Sequence, residues 1–431
     1  MQELTGFGEE TNLALIFVHE EDAMDLILRN ARLTSRPGQT LFDIGIEGGR
    51  IAAIEPTLHA EGKETDVQGR LVSAGFVETH IHLDKSCLLD QCKSEKGDLD
   101  EAIEQVAAVK KQFTAADVRA RATRTLEKCI LQGTTLMRTH LEVDPGIGLR
   151  GLEGVLPLIA AYKWAMDIEI CVFPQEGLLN NPGTDELMVE ALKRGARVVG
   201  AAPYTDTNPC GQIDRVFEMA CAFDVDIDMH LDFGNTAEYM DLEYVCEQTE
   251  KYHYGGRVAV GHVTKLSTLS KDRVRRRARR MADAGVALTV LPSTDLYLMG
   301  RHQDHNVLRG VVAAHELLYD GVNCSLSTNN VLNPFTPFGD CSLLRMANLY
   351  ANICQVGKRD DIRECFEMIT ARSAHLMRRD DYGVEVGKTA DLVVLDCQDR
   401  ESAVAEVVTP LYGFKRGRPT FTRQPAELHR P

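Results

Sequence analysis

The chain has 431 residues, of which 44% are hydrophobic and 26% are charged. This composition is typical of a globular protein with one large domain and an accessory unit, and it excludes a largely disordered chain. The formal net charge of -16 argues against nucleic acid polymers and anionic membrane surfaces as partners, because both would be repelled.

The twelve cysteines lie between Cys87 and Cys397 without a Cys-x-x-Cys pair, which favours neither a disulfide framework nor a zinc ribbon. The first residues carry no basic segment ahead of an apolar stretch, and the apolar run at 13–18 is too short to span a bilayer. We therefore expect a cytoplasmic protein without an export signal or a membrane segment.

Both ends of the chain are rich in short strand-like runs separated by turns. The predicted strands there are residues 26–28, 42–46, 50–54, 391–395 and 403–408. Because strands from the two ends can pair with each other, we predict that residues 1–71 and 377–431 form one composite β-sandwich domain.

The middle of the chain, residues 72–376, alternates apolar strand-like runs with helical stretches. The eight runs are 72–83, 133–140, 168–173, 198–202, 227–232, 258–263, 287–291 and 322–329. Helices are predicted between them, for example at 101–111 and at 271–284, which precedes Gly285. Eight strands in about 300 residues predict an α/β fold of the (β/α)8 TIM-barrel type. A doubly wound open sheet is the alternative.

One strongly basic segment, residues 272–280, falls within the predicted helix at 271–284. On a barrel helix such a run is most simply the solvated outer face, and we favour this interpretation. A phosphate-binding patch is the alternative.

Five histidines fall at the ends of predicted strands. His80 and His82 are separated by one residue, so on a strand both side chains point to the same side. The carboxyl ends of barrel strands surround the active site, where such a pair can hold a catalytic metal. His140, His230 and His262 also end predicted strands, which strengthens the prediction of a metal site over that of isolated, hydrogen-bonded histidines.

Several short sequence motifs resemble those of the amidohydrolase superfamily in its cytosine deaminase branch. They lie at 75–85, 138–140, 172–177, 199–203, 230–232, 261–262, 298–301 and 330–339. The motif His-x-His-Leu-Asp-Lys also resembles the corresponding motif of the N-isopropylammelide isopropylaminohydrolases. In both groups the ends of the chain form a β-sandwich beside the barrel.

The resemblance implies that His80, His82 and His230 bind one divalent metal ion, most simply zinc, with iron or manganese as alternatives. His262 would lie beside a metal-bound water. Three neutral imidazoles leave coordination positions open, and the cation lowers the pKa of bound water so that it can attack an amidine or amide carbon.

The resemblance also implies residues that contact the substrate. Gln175 would hydrogen-bond the edge of a ring, because an amide can both donate and accept. Further candidates for substrate binding are Phe173, Phe233, His140, Asp295 and Arg301. Arg301 could grip a carboxylate or carbonyl of the substrate, or it could pair with Asp295 or Asp304.

Two residues depart from the family pattern. The family usually has an aspartate after the eighth strand that binds the metal and moves a proton, and Asn329 occupies that position. An asparagine can offer a carbonyl oxygen to a metal, which makes Asn329 a fourth candidate ligand, but it cannot act as a base. Phe233 stands where cytosine deaminases have a glutamate that exchanges protons with the ring, which favours a more apolar pocket and a substrate other than cytosine.

These departures leave the proton carrier open. The candidate catalytic residues are His262, Lys85, Asp232 and Asn329, with Asp84 and Glu176 as further carboxylates near the site. Lys85 is the most interesting of them, and an ordinary salt-bridged lysine is its alternative interpretation. Either another group takes the proton, or the metal is held differently, or the site is inactive.

The sequence thus predicts a metal-dependent hydrolase that attacks a carbon–nitrogen bond of a small nitrogen heterocycle. The alternatives are hydrolysis of a linear or cyclic amide, carbamate or urea, and a catalytically impaired binding homologue. The resemblance further implies a homo-oligomer.

Overall fold

The computed structural model describes residues 23–36 and 38–429. Its strands are β1 Met24–Leu33, β2 Phe42–Glu47, β3 Arg50–Glu55, β4 Gly62–Asp66, β5 Leu71–Ala74, β6 Phe76–Ile81, β7 Thr134–Glu142, β8 Asp167–Phe173, β9 Val198–Val199, β10 Asp226–Leu231, β11 Val258–His262, β12 Val286–Val290, β13 Cys324–Leu326, β14 Leu392–Leu395, β15 Pro410–Lys415 and β16 Arg418–Thr422.

The α-helices lie mainly between the barrel strands. They are α1 Leu99–Val109, α2 Ala115–Leu131, α3 Arg150–Ala161, α4 Thr184–Lys193, α5 Pro209–Phe223, α6 Leu242–Lys251, α7 Lys271–Ala284, α8 Pro292–Leu298, α9 Ala314–Leu318, α10 Leu343–Ile353, α11 Arg359–Glu367, α12 Ala371–Leu376 and α13 Arg400–Ala405. Short 3-10 turns occur at Lys110–Gln112, Pro203–Thr205 and Thr264–Thr268. None of the helices in the described part of the chain is long and apolar enough to cross a membrane.

Strands β6 to β13 follow one another in chain order as parallel neighbours. The segment after β13 closes the cylinder onto β6, because Asn329 N donates to His80 O at 2.8 Å and His82 N donates to Asn329 O at 3.0 Å. Each of the eight predicted barrel runs overlaps one of these strands. The predicted (β/α)8 barrel is confirmed, and the closure excludes the doubly wound open sheet.

The second sheet combines strands from both ends of the chain, in the order β16-β15-β14-β5-β1-β2-β3 with β4 paired to β1. Strand β5 joins the two ends, because it pairs with β1 on one side and with β14 on the other. The predicted composite β domain is therefore present. Strand β5 leads through Gly75 directly into β6, the first barrel strand.

One of the predicted strands is wrong. Residues 403–408 were expected to be extended, but Arg400–Ala405 is helical, and the strand begins only at Pro410. The local reason is Asp399, whose side chain accepts a hydrogen bond from Ser402 N at 2.8 Å and caps the helix.

The basic run lies on α7, which ends at Gly285 with φ of 72°. Arg275 and Arg279 are 67% exposed, and Arg280 pairs with Glu250 of α6. These contacts agree with the solvated outer face that the sequence favoured.

Candidate metal centre and pocket

Three histidine side chains converge at the carboxyl ends of two barrel strands. His80 and His82 come from β6 and the residues just after it, and His230 comes from β10. The Nε2 atom of His230 lies 3.1 Å from Nε2 of His80 and 3.1 Å from Nε2 of His82. All three rings are buried, with residue exposures of 3% or less.

The protonation states of these rings fit a divalent metal ion. Burial first, and then neighbouring charged groups, lower the pKa values of His80, His82 and His230 well below 6.5, so the rings are neutral. His82 Nδ1 donates to the carbonyl of His140 at 3.1 Å, which leaves a lone pair on its Nε2. Nitrogen atoms that bind one zinc ion at 2.0–2.1 Å are about 3–3.4 Å apart, which matches the observed spacing. The residues present therefore fit such an ion.

A carboxylate and a fourth histidine support the cluster from within the barrel. His140 stacks on His80 with ring centroids 3.7 Å apart. Asp228 Oδ1 lies 3.5 Å from His140 Nε2 and 3.9 Å from His80 Nδ1, and Arg138 Nη1 donates to Asp228 Oδ2 at 2.9 Å. Carboxylates beside ligand histidines orient the rings and raise their basicity.

Next to the three histidines, His262 forms a pair with a buried aspartate. His262 Nδ1 donates to Asp295 Oδ1 at 2.5 Å, and Asp295 also accepts from Leu291 N. On the other side of the ring, Asn329 Nδ2 lies 3.4 Å from His262 Nε2. The Oδ1 atom of Asn329 is buried and has no hydrogen-bond partner within residues 23–36 and 38–429.

Two aromatic rings lie beside this cluster. Phe173 stacks on His230 with centroids 4.4 Å apart and an angle of 17° between the planes. Phe233 meets His262 edge-on, at 5.4 Å and 87°. Both rings therefore lie against histidines of the cluster, and their role in substrate binding stays a prediction.

A buried network of charges adjoins Phe173. Lys85 Nζ donates to Glu142 Oε1 at 2.7 Å and to Gln175 Oε1 at 3.2 Å. Glu142 Oε2 in turn accepts from Lys110 Nζ at 2.9 Å. Lys85 is thus salt-bridged, as its alternative interpretation held, and yet it contacts the predicted substrate residue Gln175.

The comparisons with known proteins agree with this geometry. The sequence model of the Amidohydrolase family matches residues 165–421, which is more than half of the chain. The chain belongs to this family. As an amidohydrolase it is a hydrolase that acts on carbon–nitrogen bonds other than peptide bonds.

Three relatives illustrate its place among the amidohydrolases. The chain is 29% identical to N-isopropylammelide isopropyl amidohydrolase of Pseudomonas sp. (strain ADP), over 91% of this chain and 96% of the relative. It is 26% identical to pterin deaminase of Rhizobium rhizogenes, over 84% of each chain. The crystal structure of 5-methylcytosine deaminase from Klebsiella pneumoniae superimposes with a TM-score of 0.89 at 27% identity, covering 94% of this chain and 99% of the other.

In this amidohydrolase some predicted site residues have other partners. Asp232 accepts hydrogen bonds from Asp241 N at 2.9 Å and Leu242 N at 3.0 Å. Its carboxylate therefore binds backbone N–H groups at the start of α6. Arg301 donates to the carbonyl of Tyr297 and lies over that ring, 4.2 Å from its centroid. Within the described residues Arg301 pairs with neither Asp295 nor Asp304.

The remaining carboxylate candidates are also bound elsewhere. Asp84 accepts from Lys85 N and Glu142 N, and burial, followed by the Glu142 charge, raises the pKa of Asp84 to about 6. Glu176 forms an ion pair with Lys110. Neither contact points to proton transfer at the histidine cluster.

Four residues of the amidohydrolase site were not singled out from the sequence, namely Asp228, Arg138, Glu142 and Lys110. Asp228 lies two residues before His230 on β10, so strand alternation could have indicated it. Lys110 lies in the turn after α1, where no periodicity distinguishes it from a solvated lysine. Its partners appear only in the folded chain.

Proposed function

We propose that this amidohydrolase hydrolyses a carbon–nitrogen bond of a small nitrogen heterocycle, as a deaminase or an aminohydrolase, at a divalent metal held by His80, His82 and His230. The observation that carries the proposal is the convergence of three imidazole Nε2 atoms at 3.1 Å. The named activities of the relatives support the substrate class. Zinc is the metal that we favour, because it readily binds three imidazoles.

A cation bound there would supply an activated water for attack on the carbon of the C–N bond. His262 can accept the proton of the attacking water at Nε2, because its Nδ1 hydrogen is already donated to Asp295. The Asp295 carboxylate stabilises the resulting imidazolium. His262 then returns the proton to the leaving nitrogen.

This arrangement accounts for the asparagine at position 329. The amide of Asn329 cannot take up a proton, but its Nδ2 faces His262 Nε2. Its buried Oδ1 has no hydrogen-bond partner among the residues that the structure describes, and it would be available to a bound metal ion. We infer that the proton-carrying carboxylate of the eighth strand is replaced here by the His262–Asp295 pair. The contacts of Asp232 and Lys85 leave them less suited to this task.

The walls of the pocket suit a planar ring. Phe173 and Phe233 offer apolar surface, and Gln175 offers a polar edge. His140 stacks on His80, so we assign it to support of the metal site. The exposed Arg301 contacts the carbonyl and the ring of Tyr297, so we do not assign it a contact with the substrate ring.

The test is metal analysis of the purified protein by mass spectrometry, followed by single substitutions His80→Asn, His82→Asn and His230→Asn. We expect about one metal ion per chain, and a loss of most of it in each variant. The exposed His375→Asn serves as the matched control and should retain the metal. Wild-type protein without bound metal in metal-supplemented medium would refute the proposal.

The substrate class is tested by release of ammonia or amine from a panel of pyrimidines, triazines and pterins, with linear amides and ureas beside them. We expect turnover in the heterocycle group. Turnover confined to the linear compounds would instead support the alternative of an amide or urea hydrolase.

A further inference from the structure

The backbone of Asn329 is bonded to both histidines of the first barrel strand and the residue after it. Asn329 has a φ of 64°, in the left-handed region that asparagine adopts more readily than most residues. Its N–H donates to the carbonyl of His80 at 2.8 Å, and its carbonyl accepts from His82 N at 3.0 Å. Its side-chain Nδ2 lies 3.4 Å from His262 Nε2. The direction of this amide therefore depends on how the backbone before it is held.

Glu78 binds the two residues that precede Asn329. Its Oε1 atom accepts a hydrogen bond from Thr328 N at 2.9 Å and another from the hydroxyl of Ser327. Its Oε2 atom accepts from the hydroxyl of Thr328. Glu78 and Ser327 are fully buried and Thr328 is 1% exposed, so bulk water does not compete for these contacts. One carboxylate on the first barrel strand thus holds the segment that follows the eighth.

The hydroxyl of Ser327 connects this carboxylate to the backbone of the first barrel strand. Ser327 Oγ lies 2.9 Å from Thr79 N and 2.9 Å from His80 N, and a backbone N–H can only donate. Both lone pairs of Oγ are thereby used. Its single hydrogen points to the nearer of the remaining neighbours, which is the carboxylate of Glu78, since Thr79 Oγ1 is 3.0 Å away. Ser327 therefore links His80 to Glu78 with all of its hydrogen-bonding capacity.

We propose that Glu78 is a positioning residue, which acts through Ser327 and Thr328 to direct the Asn329 amide toward the histidine cluster. This inference rests on the proposed function, because the cluster is the site assigned there to the metal. Without the carboxylate, three hydrogen-bond donors would be left without an acceptor inside the barrel. The segment could regain partners only by shifting, and Asn329 would shift with it.

Ser327→Ala separates this contact from the general packing of the barrel. The variant removes the hydroxyl that binds Glu78, so we expect the metal to dissociate about tenfold faster in the presence of a chelator. Ser325→Ala is the matched control, because Ser325 is equally buried on β13 but its hydroxyl lies 2.9 Å from those of Thr79 and Thr289. This control should change the dissociation rate by less than about twofold.

A double-mutant cycle with Asn329→Gly shows whether the effect passes through the amide. Glycine adopts a positive φ without strain, so this variant removes the side chain and keeps the backbone conformation. In the Asn329→Gly background, Ser327→Ala should change the metal dissociation rate by less than about twofold, because the amide that it would misdirect is gone. The same tenfold effect in both backgrounds would overturn the inference.

Two variants of Glu78 test the carboxylate itself. Glu78→Gln keeps an oxygen for Ser327 and for Thr328 N, and its Nε2 can donate to the Thr328 hydroxyl, so we expect dissociation within about threefold of the wild-type rate. Glu78→Leu offers no acceptor and should match or exceed the effect of Ser327→Ala. If Glu78→Leu does not fold, Thr328→Val replaces it, with a smaller increase expected because a single donor is lost. Equal rates in the glutamine variant and in the variant compared with it would contradict the proposed role.

Hydrogen exchange provides a second measurement, which needs no metal. The His82 amide donates to the carbonyl of Asn329, so in metal-free protein it should exchange about tenfold faster in Ser327→Ala than in Ser325→Ala. Equal exchange of this amide in the two variants would mean that Ser327 does not hold Asn329. A wild-type protein without bound metal would instead refute the proposed function, while the exchange rates would still decide the positioning role.

Discussion

Asn329 stands where the amidohydrolase pattern has a metal-binding aspartate, and its contacts suggest what compensates for the change. Its amide faces Nε2 of His262, whose other nitrogen is bonded to Asp295. A carboxylate is thus still present beside the histidine cluster, and in the proposed mechanism it acts through the His262 ring. Compared with the family pattern, the carboxylate charge lies on the Nδ1 side of His262, and the neutral amide of Asn329 lies on the Nε2 side.

Asn329→Asp tests this view directly. The new carboxylate would add negative charge beside the histidine cluster and would compete for His262 Nε2, so we expect tighter metal retention and roughly tenfold lower turnover. Metal dissociation against a chelator and steady-state turnover measure the two effects. A sharp gain in turnover would instead identify the natural protein as a catalytically impaired homologue.

Asp295→Asn tests the partner of His262. The substitution removes the charge that stabilises the imidazolium, so turnover should fall by about 10²–10⁴-fold while metal content is unchanged. Asp304→Asn is a suitable control, because Asp304 forms a similar pair with His305 on the exposed surface. Equal activity of the two variants would contradict a catalytic role for Asp295.

Individual site residues were predictable from the sequence where a local rule applied. His80 and His82 were predicted to point to one side because strand alternation requires it, and the structure brings both to His230. The Lys110–Glu142 contact joins residues 32 positions apart through a turn that no motif specifies. Such contacts depend on tertiary packing, which one sequence does not reveal.

At the scale of elements, the barrel strands were predictable because their apolar runs are bounded by turns and separated by helices. The failure at α13 shows the limit of this reasoning. Ala403 and Val404 are buried, so their apolar character did not distinguish helix from strand, and the cap from Asp399 favours the helix. The exact limits of the two domains, 72–376 and the flanking segments, stay a prediction.

Gly200 shows how closely the strands under the site are packed. A methyl group at this position would lie 2.5 Å from the backbone oxygen of Asp228, two residues before His230. We expect Gly200→Ala to lower the free energy of unfolding by about 1–3 kcal/mol and to reduce metal occupancy, since β10 must shift. Chemical denaturation and metal analysis measure these effects.

Gly357→Ala provides the matched comparison, because no atom lies within 4 Å of the added methyl group. Its unfolding free energy should change by less than about 0.5 kcal/mol. If the two variants were equally stable, the close packing at Gly200 would have no energetic consequence.

For the molecule as a whole, we expect the histidine cluster to make the free energy of unfolding depend on pH. Burial and neighbouring charges lower the pKa values of His80, His82 and His230 in the folded chain, so the unfolded chain binds more protons below pH 6.5. The metal-free protein should therefore lose stability as the pH falls below about 6.5, by up to about 1.4 kcal/mol per pH unit for each histidine.

Denaturation of chelator-treated protein between pH 7 and pH 5 measures this slope. The triple variant His80→Asn, His82→Asn, His230→Asn should show a shallower slope, because its folded state no longer excludes these protons. Parallel slopes would mean that the three rings titrate alike in the folded and unfolded chains.

Burial of the site should also affect the rates of ligand entry and product release. The histidines, Lys85, Gln175 and Asn329 are at most 5% exposed, and backbone hydrogen bonds from Cys87 to Val331 and from Leu88 to Leu332 join two loops at the mouth of the barrel. We expect a ligand to enter when these loops separate, and association should then be slower than free diffusion allows. Substrates with different leaving groups should then show the same maximum turnover rate, because substrate entry and product release would limit it.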